Sequence, residues 1–304
     1  MSRLFFMLSR WPLGLLHPMG AALGWLTYGL SPTYRRRLKA HTDQAGLSAW
    51  QRWSAVAHAG RMVAELPRLW GRPAKVPLGD RVRWTHPEVV EQALARHKGV
   101  LVLSPHLGCF EICAQAYAER FGAQQPITVL YRPAKQPALA RILEHARDRE
   151  HLQSAPATLS GVRQLLRALK SGQTLGLLPD QVPPEGMGVW APFFGPQAYT
   201  MTMATKLAHQ TGASMVWLRG ERLGFFQRLK VGADFVVHAQ AAGTDLVDAV
   251  AQGDPAPSAV ALNREVENLI MQCPQQYLWG YNRYKQPKAD ILTTQRTTTA
   301  KDAA

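Results

Sequence analysis

Residues 99–111, GVLVLSPHLGCFE, carry a histidine and, five positions later, a glutamate. An imidazole that titrates near neutrality can take a proton from a hydroxyl. A carboxylate beside it can fix its tautomer and stabilise the imidazolium that forms. The same spacing recurs at His86/Glu91 and His145/Glu150, so spacing alone selects nothing, and position in the fold must. His106 follows an apolar run by only Ser-Pro, which sets it at the end of a buried strand, and Glu111 falls in the first turn of the helix predicted from EICAQAYAERFG. His86 stands at a helix start, and His145 lies on a charged helical face. Gly108 would let a substrate approach the backbone closely, and the helix start offers amide donors.

Two further groups sit where strands should end. Arg132 follows ITVLY, and its guanidinium suits an oxyanion or a phosphate. Asp180 follows TLGLLP; it could orient Arg132 or His106, or merely form a turn. Between and after them, apolar runs alternate with helical periodicity: a helix over 136–151, one over 160–171 capped by Ser160, one over 200–212, and strands in ASMVWLRG and LKVGADFVVHA. A helix over 48–70 is ended by Pro67, residues 181–199 read as a long Pro- and Gly-rich loop, and 243–257 as a linker. Alternation of this kind implies an α/β domain with a ligand site at the carboxyl ends of its strands.

With 304 residues, 46% hydrophobic and 18% charged, the chain can bury a full core. Its net charge of +14 points to an acidic partner: nucleic acid, an anionic membrane surface or an acidic protein. Cys109, Cys113 and Cys273 form no CxxC pattern and read as neutral thiols in a reducing compartment. No GxxxxGK, GxGxxG or HExxH occurs, so neither a metal nor a nucleotide cofactor is expected. Residues 11–30 contain no Lys, Arg, Asp or Glu. They would either span a bilayer as a helix or dip into one leaflet as a helical hairpin. Arg35, Arg36, Arg37 and Lys39 follow at once and would hold the rest of the chain on the cytoplasmic side. Within this segment GAALG matches a helix-packing spacing. Near the other end, Tyr277, Trp279, Tyr281, Arg283 and Lys285 alternate as strand or interfacial residues would.

The basic cluster after an apolar segment, His106-x-x-x-x-Glu111, YRP at 131–133, LPDQ at 178–181, FFG at 193–195 and the closing PQQYLWGYNRYKQPK together resemble the bacterial lipid A biosynthesis (lauroyl/myristoyl) acyltransferase family, within the wider lysophospholipid and glycerolipid acyltransferases. Gln275 stands where that family usually has Glu, and Tyr281-Asn282 replaces a basic or histidine-containing pair. The resemblance implies a single mixed-sheet acyltransferase domain over 35–288 with flanking helices and a membrane anchor over 1–34, and the polar composition of 289–304 predicts a disordered tail. It implies an inner-membrane enzyme moving a fatty acyl chain from acyl carrier protein, or from acyl-CoA, to a hydroxyl of a lipid A precursor. A lysophospholipid or other glycolipid acceptor is the alternative, and a non-catalytic basic protein on membrane or nucleic acid a more remote one. Nucleic acid is not an expected partner of the enzyme. In this reading His106 is the general base oriented by Glu111, with no covalent intermediate, and Arg132 and the amides near Gly108 meet the oxyanion or a phosphate. Trp190, Phe193 and Phe194 would line an acyl-chain tunnel or a lid.

Overall fold

The computed structural model describes residues 2–131 and 149–288. The predicted helix over 136–151 and the tail over 289–304 therefore lie largely or wholly outside the described residues. Four helices lead into a sheet: α1 (Ser2–Ser9), α2 (Leu13–Leu30), α3 (Pro32–Gln44) and α4 (Ala49–Trp70). Ser31 caps α3 ahead of Pro32, and Ser48 closes a capping box with Gln51 at α4. Rather than ending at Pro67, α4 runs through it to Trp70, since Leu69 is held in the core beyond it.

α2 carries no charge and buries only the stripe Leu13, Leu16, His17, Gly20 and Gly24. This stripe lies on α4 at van der Waals limits: a Cβ on Gly60 would fall 1.8 Å from the Gly20 carbonyl oxygen. The GAALG spacing thus joins two helices of one chain. No helix among the described residues is long and apolar enough to cross a membrane. Of the basic cluster, Arg35 donates to the Tyr28 and Gly29 carbonyls at the end of α2, and Arg37 to the Gly280 carbonyl.

The sheet contains β1 (Val82–Thr85), β2 (Val100–Leu103), β3 (Ile127–Tyr131), β4 (Leu152–Pro156), β5 (Thr174–Leu177), β8 (Ser214–Arg222) and β9 (Phe235–Ala241), in the order β1-β9-β8-β2-β5-β3-β4. From β8 to β4 all neighbours are parallel, while β9 and β1 run the other way. The alternation within β2 splits its side chains between two cores. Leu101 and Leu103 join Leu175, Leu177 and Trp217 against α11 (Pro255–Gln272). Val100 and Val102 join Val216 and Leu218 against α6 (Phe110–Phe121). Of the remaining helices, α5 (Glu88–Leu94), α7 (Leu159–Lys170), α8 (Met203–Thr211) and α9 (Phe225–Val231) connect strands, and α10 (Thr244–Gln252) follows β9 and leads into α11.

Three expectations fail for local reasons. Residues 181–199 are not a structureless loop. They hold most of a separate hairpin, β6 (Gly188–Pro192) with β7 (Gln197–Met201), whose buried Ala191 and Ala198 face each other across the ladder. The run LKVGADFVVHA is not one strand, because Gly232 stops α9 at a positive φ of 70° before β9 begins. Residues 243–257 are not a linker, since Leu246, Ala249 and Val250 give α10 a buried face and Asp254 caps α11.

A buried ion pair joins the helical layer to the sheet. Arg222, at the end of β8, meets Glu65 of α4 bidentately, Nη2 to Oε1 at 2.5 Å and Nε to Oε2 at 2.7 Å, with both side chains 1% exposed. Burial would raise the Glu65 carboxyl, but the Arg222 charge and hydrogen bonds outweigh it and hold it below the ordinary carboxylate value. Burial, with the Arg222 and Arg61 charges, drives His58 down to about 2, so its neutral Nδ1 accepts from Arg222 at 3.2 Å. His17 completes the set: Nε2–H donates to Glu65 at 3.2 Å and Nδ1 accepts from Arg228 at 2.5 Å, which fits the neutral ring. Glu65→Ala is expected to cost about 3–5 kcal/mol in chemical denaturation by stranding the arginine, and Glu65→Leu combined with Arg222→Leu to regain much of that loss.

Candidate active site

β2 and β5 are neighbours in register, with Leu103 opposite Leu177. Each continues through one residue and a proline to a polar side chain: Ser104-Pro105-His106 on one, Leu178-Pro179-Asp180 on the other. The two strand ends therefore deliver His106 and Asp180 side by side. Asp180 Oδ1 lies 2.7 Å from His106 Nδ1, and its Oδ2 accepts from the His106 amide at 2.9 Å. The Asp180 side chain is 2% exposed and that of His106 13%. Burial raises the carboxyl, but the facing imidazole and the hydrogen bonds from its ring and amide prevail, leaving Asp180 below its ordinary value. As an anion it can only accept, so Nδ1 carries a hydrogen, and in the neutral ring the lone pair is on Nε2. The Gln181 amide nitrogen sits 3.0 Å from Nε2, the orientation that this tautomer requires.

Glu111 is placed differently from expectation. The carboxylate on the imidazole is Asp180, whereas Glu111 Oε2 accepts from Trp70 Nε1 at 3.1 Å, at the last turn of α4. Glu111 stands in the first turn of α6, on the far side of the turn after His106. Phe110 instead packs at a tilt of 55° against the His106 ring, with centroids 4.7 Å apart.

The loop between β2 and α6 is held from several sides. The Gly108 amide donates to the Gln276 carbonyl at 3.0 Å and the Cys109 amide to the Gly220 carbonyl at 2.6 Å. Arg222 donates to the Gly108 carbonyl at 3.1 Å, and the Leu278 amide to that of His106 at 3.2 Å. The Gly108 amide, expected to meet an oxyanion, is thus committed within the fold. Gly108 has a φ of 61°, and a Cβ there would fall 2.0 Å from the Gly220 carbonyl oxygen. Glycine at this point serves the packing of the loop on β8. The first turn of α6 has no side-chain cap.

The closing aromatic and basic segment is not interfacial. Tyr277, Trp279 and Arg283 are buried. Arg283 donates to the Tyr199 carbonyl and Thr200 hydroxyl, both at 2.8 Å, and stacks over Phe193. The Tyr281 hydroxyl accepts from the Val182 amide at 2.9 Å, tying the segment to the residues after Asp180. Burial, then the Asp180 carboxylate, push the Tyr277 phenol well up. Phe193 is buried beside Arg283, the Phe194 amide donates to Glu267 at 2.7 Å, and Trp190 packs on Tyr199. The apolar cleft beside the loop is formed by other residues: Val102, Ser104, Phe110, Glu111, Ala114, Ile127, Val129, Leu130, Gly176 and Leu178 line about 60 Å³ between the sheet and α6. Arg132 lies outside the described residues. Burial drives the Cys113 thiol up to about 12, and Cys109 and Cys273 are buried too, so all three are neutral. Among the described residues no cluster of His, Cys, Asp and Glu has the makings of a metal site.

Residues 53–286 match the family described as bacterial lipid A biosynthesis acyltransferase. The chain belongs to this family. It is 27% identical over 210 residues to a lipid A biosynthesis lauroyltransferase of Escherichia coli K12, covering 67% of this chain and 62% of that one. A palmitoleoyltransferase of the same organism is 25% identical over 199 residues, 64% of this chain and 59% of the relative. A lipid A biosynthesis acyltransferase of Haemophilus influenzae is 24% identical over 209 residues, 68% and 60% of the two chains. The chain thus aligns with about three fifths of the length of these curated relatives.

The depressed Asp180 gives a signed prediction. Its contribution to stability is present above the ordinary carboxylate value of 3.8 and is lost as pH falls through the lower folded value. Unfolding free energy followed from pH 7 to about 2 should therefore fall less steeply on the acid side in Asp180→Asn than in the parent chain.

Proposed function

We propose that the chain is a membrane-associated O-acyltransferase. It would move a fatty acyl chain from an acyl thioester, carried by acyl carrier protein, to a hydroxyl of a lipid A precursor. The observation that carries this reading is the His106–Asp180 pair at the carboxyl edge of β2 and β5, beside an apolar cleft. Family membership and the activities for which the relatives are named support the substrate class. The net charge of +14 suits an acidic carrier protein and an anionic membrane surface. The uncharged outer face of α2 and the cations that follow it favour the cytoplasmic side of the inner membrane.

In this mechanism the acceptor hydroxyl displaces the Gln181 amide from His106 Nε2. The imidazole removes the hydroxyl proton as the oxygen attacks the thioester carbonyl, and Asp180 stabilises the imidazolium. The tetrahedral intermediate collapses with cleavage of the carbon–sulfur bond, and the departing thiolate takes the proton back from Nε2. No residue of the chain is acylated and no metal or cofactor takes part. The uncapped first turn of α6 supplies backbone donors toward the oxyanion. Arg132 is proposed to meet the same oxygen or a phosphate of either substrate. The cleft between the sheet and α6 takes the acyl chain near its thioester end. Glu111, on the wall of that cleft and against Trp70, acts on the bound acceptor rather than on the imidazole.

Thioester consumption and the mass of the lipid product test this reading. His106→Ala and Asp180→Asn should each lower kcat by about 10²- to 10⁴-fold. Glu111→Gln should act more on KM for the acceptor than Asp180→Asn does. Full turnover by purified, folded Asp180→Asn would exclude the pair as the catalytic unit.

A further inference from the structure

β8 and β9 form an antiparallel hairpin whose last register pair is Arg222 with Phe235. β8 lies parallel to β2, with Trp217 opposite Leu103, and then continues five residues beyond the end of β2. At the usual rise of a strand this carries the hairpin roughly 16 Å past the edge where β2 hands over to His106. Its tip is α9, and α9 is inside out. Phe225, Phe226 and Leu229 are 68%, 81% and 70% exposed, while the cation Arg228 turns inward to His17 of α2 and to Asp234. No described residue covers these three apolar side chains.

Through Arg228 and His17 the tip adjoins the first half of α2, which exposes Leu15, Met19, Leu23 and Leu26 without one charge. Two chain segments far apart in sequence thus adjoin, each carrying exposed apolar side chains. In the segment 224–232, GFFQRLKVG, Arg228 is turned in to Asp234 while Lys230 stays exposed, and Arg81, itself 3.6 Å from Asp234, and Arg10 are exposed nearby in the fold or the chain. An apolar patch rimmed by cations fits lipid tails beneath anionic headgroups. A second copy of the same chain would set cation against cation. We propose that α9 is a membrane-inserting tip, a second foot beside α2 that seats the catalytic edge of the sheet on an anionic bilayer. This rests on the membrane association proposed above and extends it to a named element outside the first thirty residues.

The test uses the full chain and no turnover, so it is independent of the acyl-transfer reading. An environment-sensitive fluorophore is attached at Phe226→Cys, the three native thiols being buried. A control carries it at Asp248→Cys in α10, which begins after β9 has returned to the opposite edge of the sheet. On vesicles of phosphatidylethanolamine and phosphatidylglycerol, the label at 226 should shift to the blue and lose most of its quenching by aqueous iodide, while that at 248 stays quenched. Phe225→Ser with Phe226→Ser, folded by thermal melting, should partition onto the vesicles about tenfold less than the parent chain. Equal iodide access at 226 with and without lipid overturns the proposal. So does shielding of that label in lipid-free buffer that disappears on dilution, the mark of a protein–protein contact.

Discussion

The bidentate pair between Arg222 and Glu65 is the contact on which the rest of the molecule depends. Arg222 ends β8, Glu65 belongs to α4, and the same guanidinium reaches the Gly108 carbonyl in the loop that presents His106. Gln276 bonds Arg222 through both its backbone amide and its carbonyl, so the closing segment is fixed at the same point. Two charges taken out of water gain little over well-packed apolar side chains, but one left alone is costly. Such a pair acts as a condition: the helical layer, the loop and the carboxyl-terminal turn can each take their places only when the others have. His17 extends the condition to α2 through a neutral ring that donates to Glu65 and accepts from Arg228.

The His106–Asp180 pair follows from a second constraint, the register of β2 on β5. Parallel neighbours whose ends match will present whatever follows them at equal height, and here each strand is followed by one residue, a proline and a polar group. The prolines discourage either segment from turning helical early. The polar side chains therefore meet above the edge. Burial makes the meeting specific, since a carboxylate with 2% of its side chain exposed needs donors and finds them on the histidine ring and amide.

His106 was legible in the sequence because a buried strand, a proline and a histidine stand in order along the chain. Asp180 was legible only as one of three roles, orienting His106, orienting Arg132 or forming a turn, because it lies 74 residues away and chain order alone does not say that β2 and β5 are neighbours. The signal was nevertheless present in the paired endings SPH and LPD. Glu111 drew attention through nearness in sequence, and α6 turns it to Trp70. The α/β alternation was readable from apolar runs of strand length, whereas the β6–β7 hairpin was hidden by the prolines and glycines of its flanks. Arg283 and the aromatics around it looked interfacial because their composition is that of a membrane rim. Only the packing shows that Arg283 lies among the Tyr199 carbonyl, Thr200 and Asn263 in the core. The GAALG spacing was correctly a packing signal, with its partner glycine on α4 of the same chain.

Trp70 touches both worlds of this molecule. Its ring packs near Phe5 of α1, with centroids 6.5 Å apart, and its indole N–H holds Glu111 at the cleft. Were α2 and the α9 tip seated in lipid as proposed, an acceptor entering past Trp70 would reach the cleft without crossing water. Its search would then take place in a plane: the encounter rate would be governed by lateral diffusion and by how many acceptors share each patch of leaflet, and bulk concentration would drop out of the kinetics.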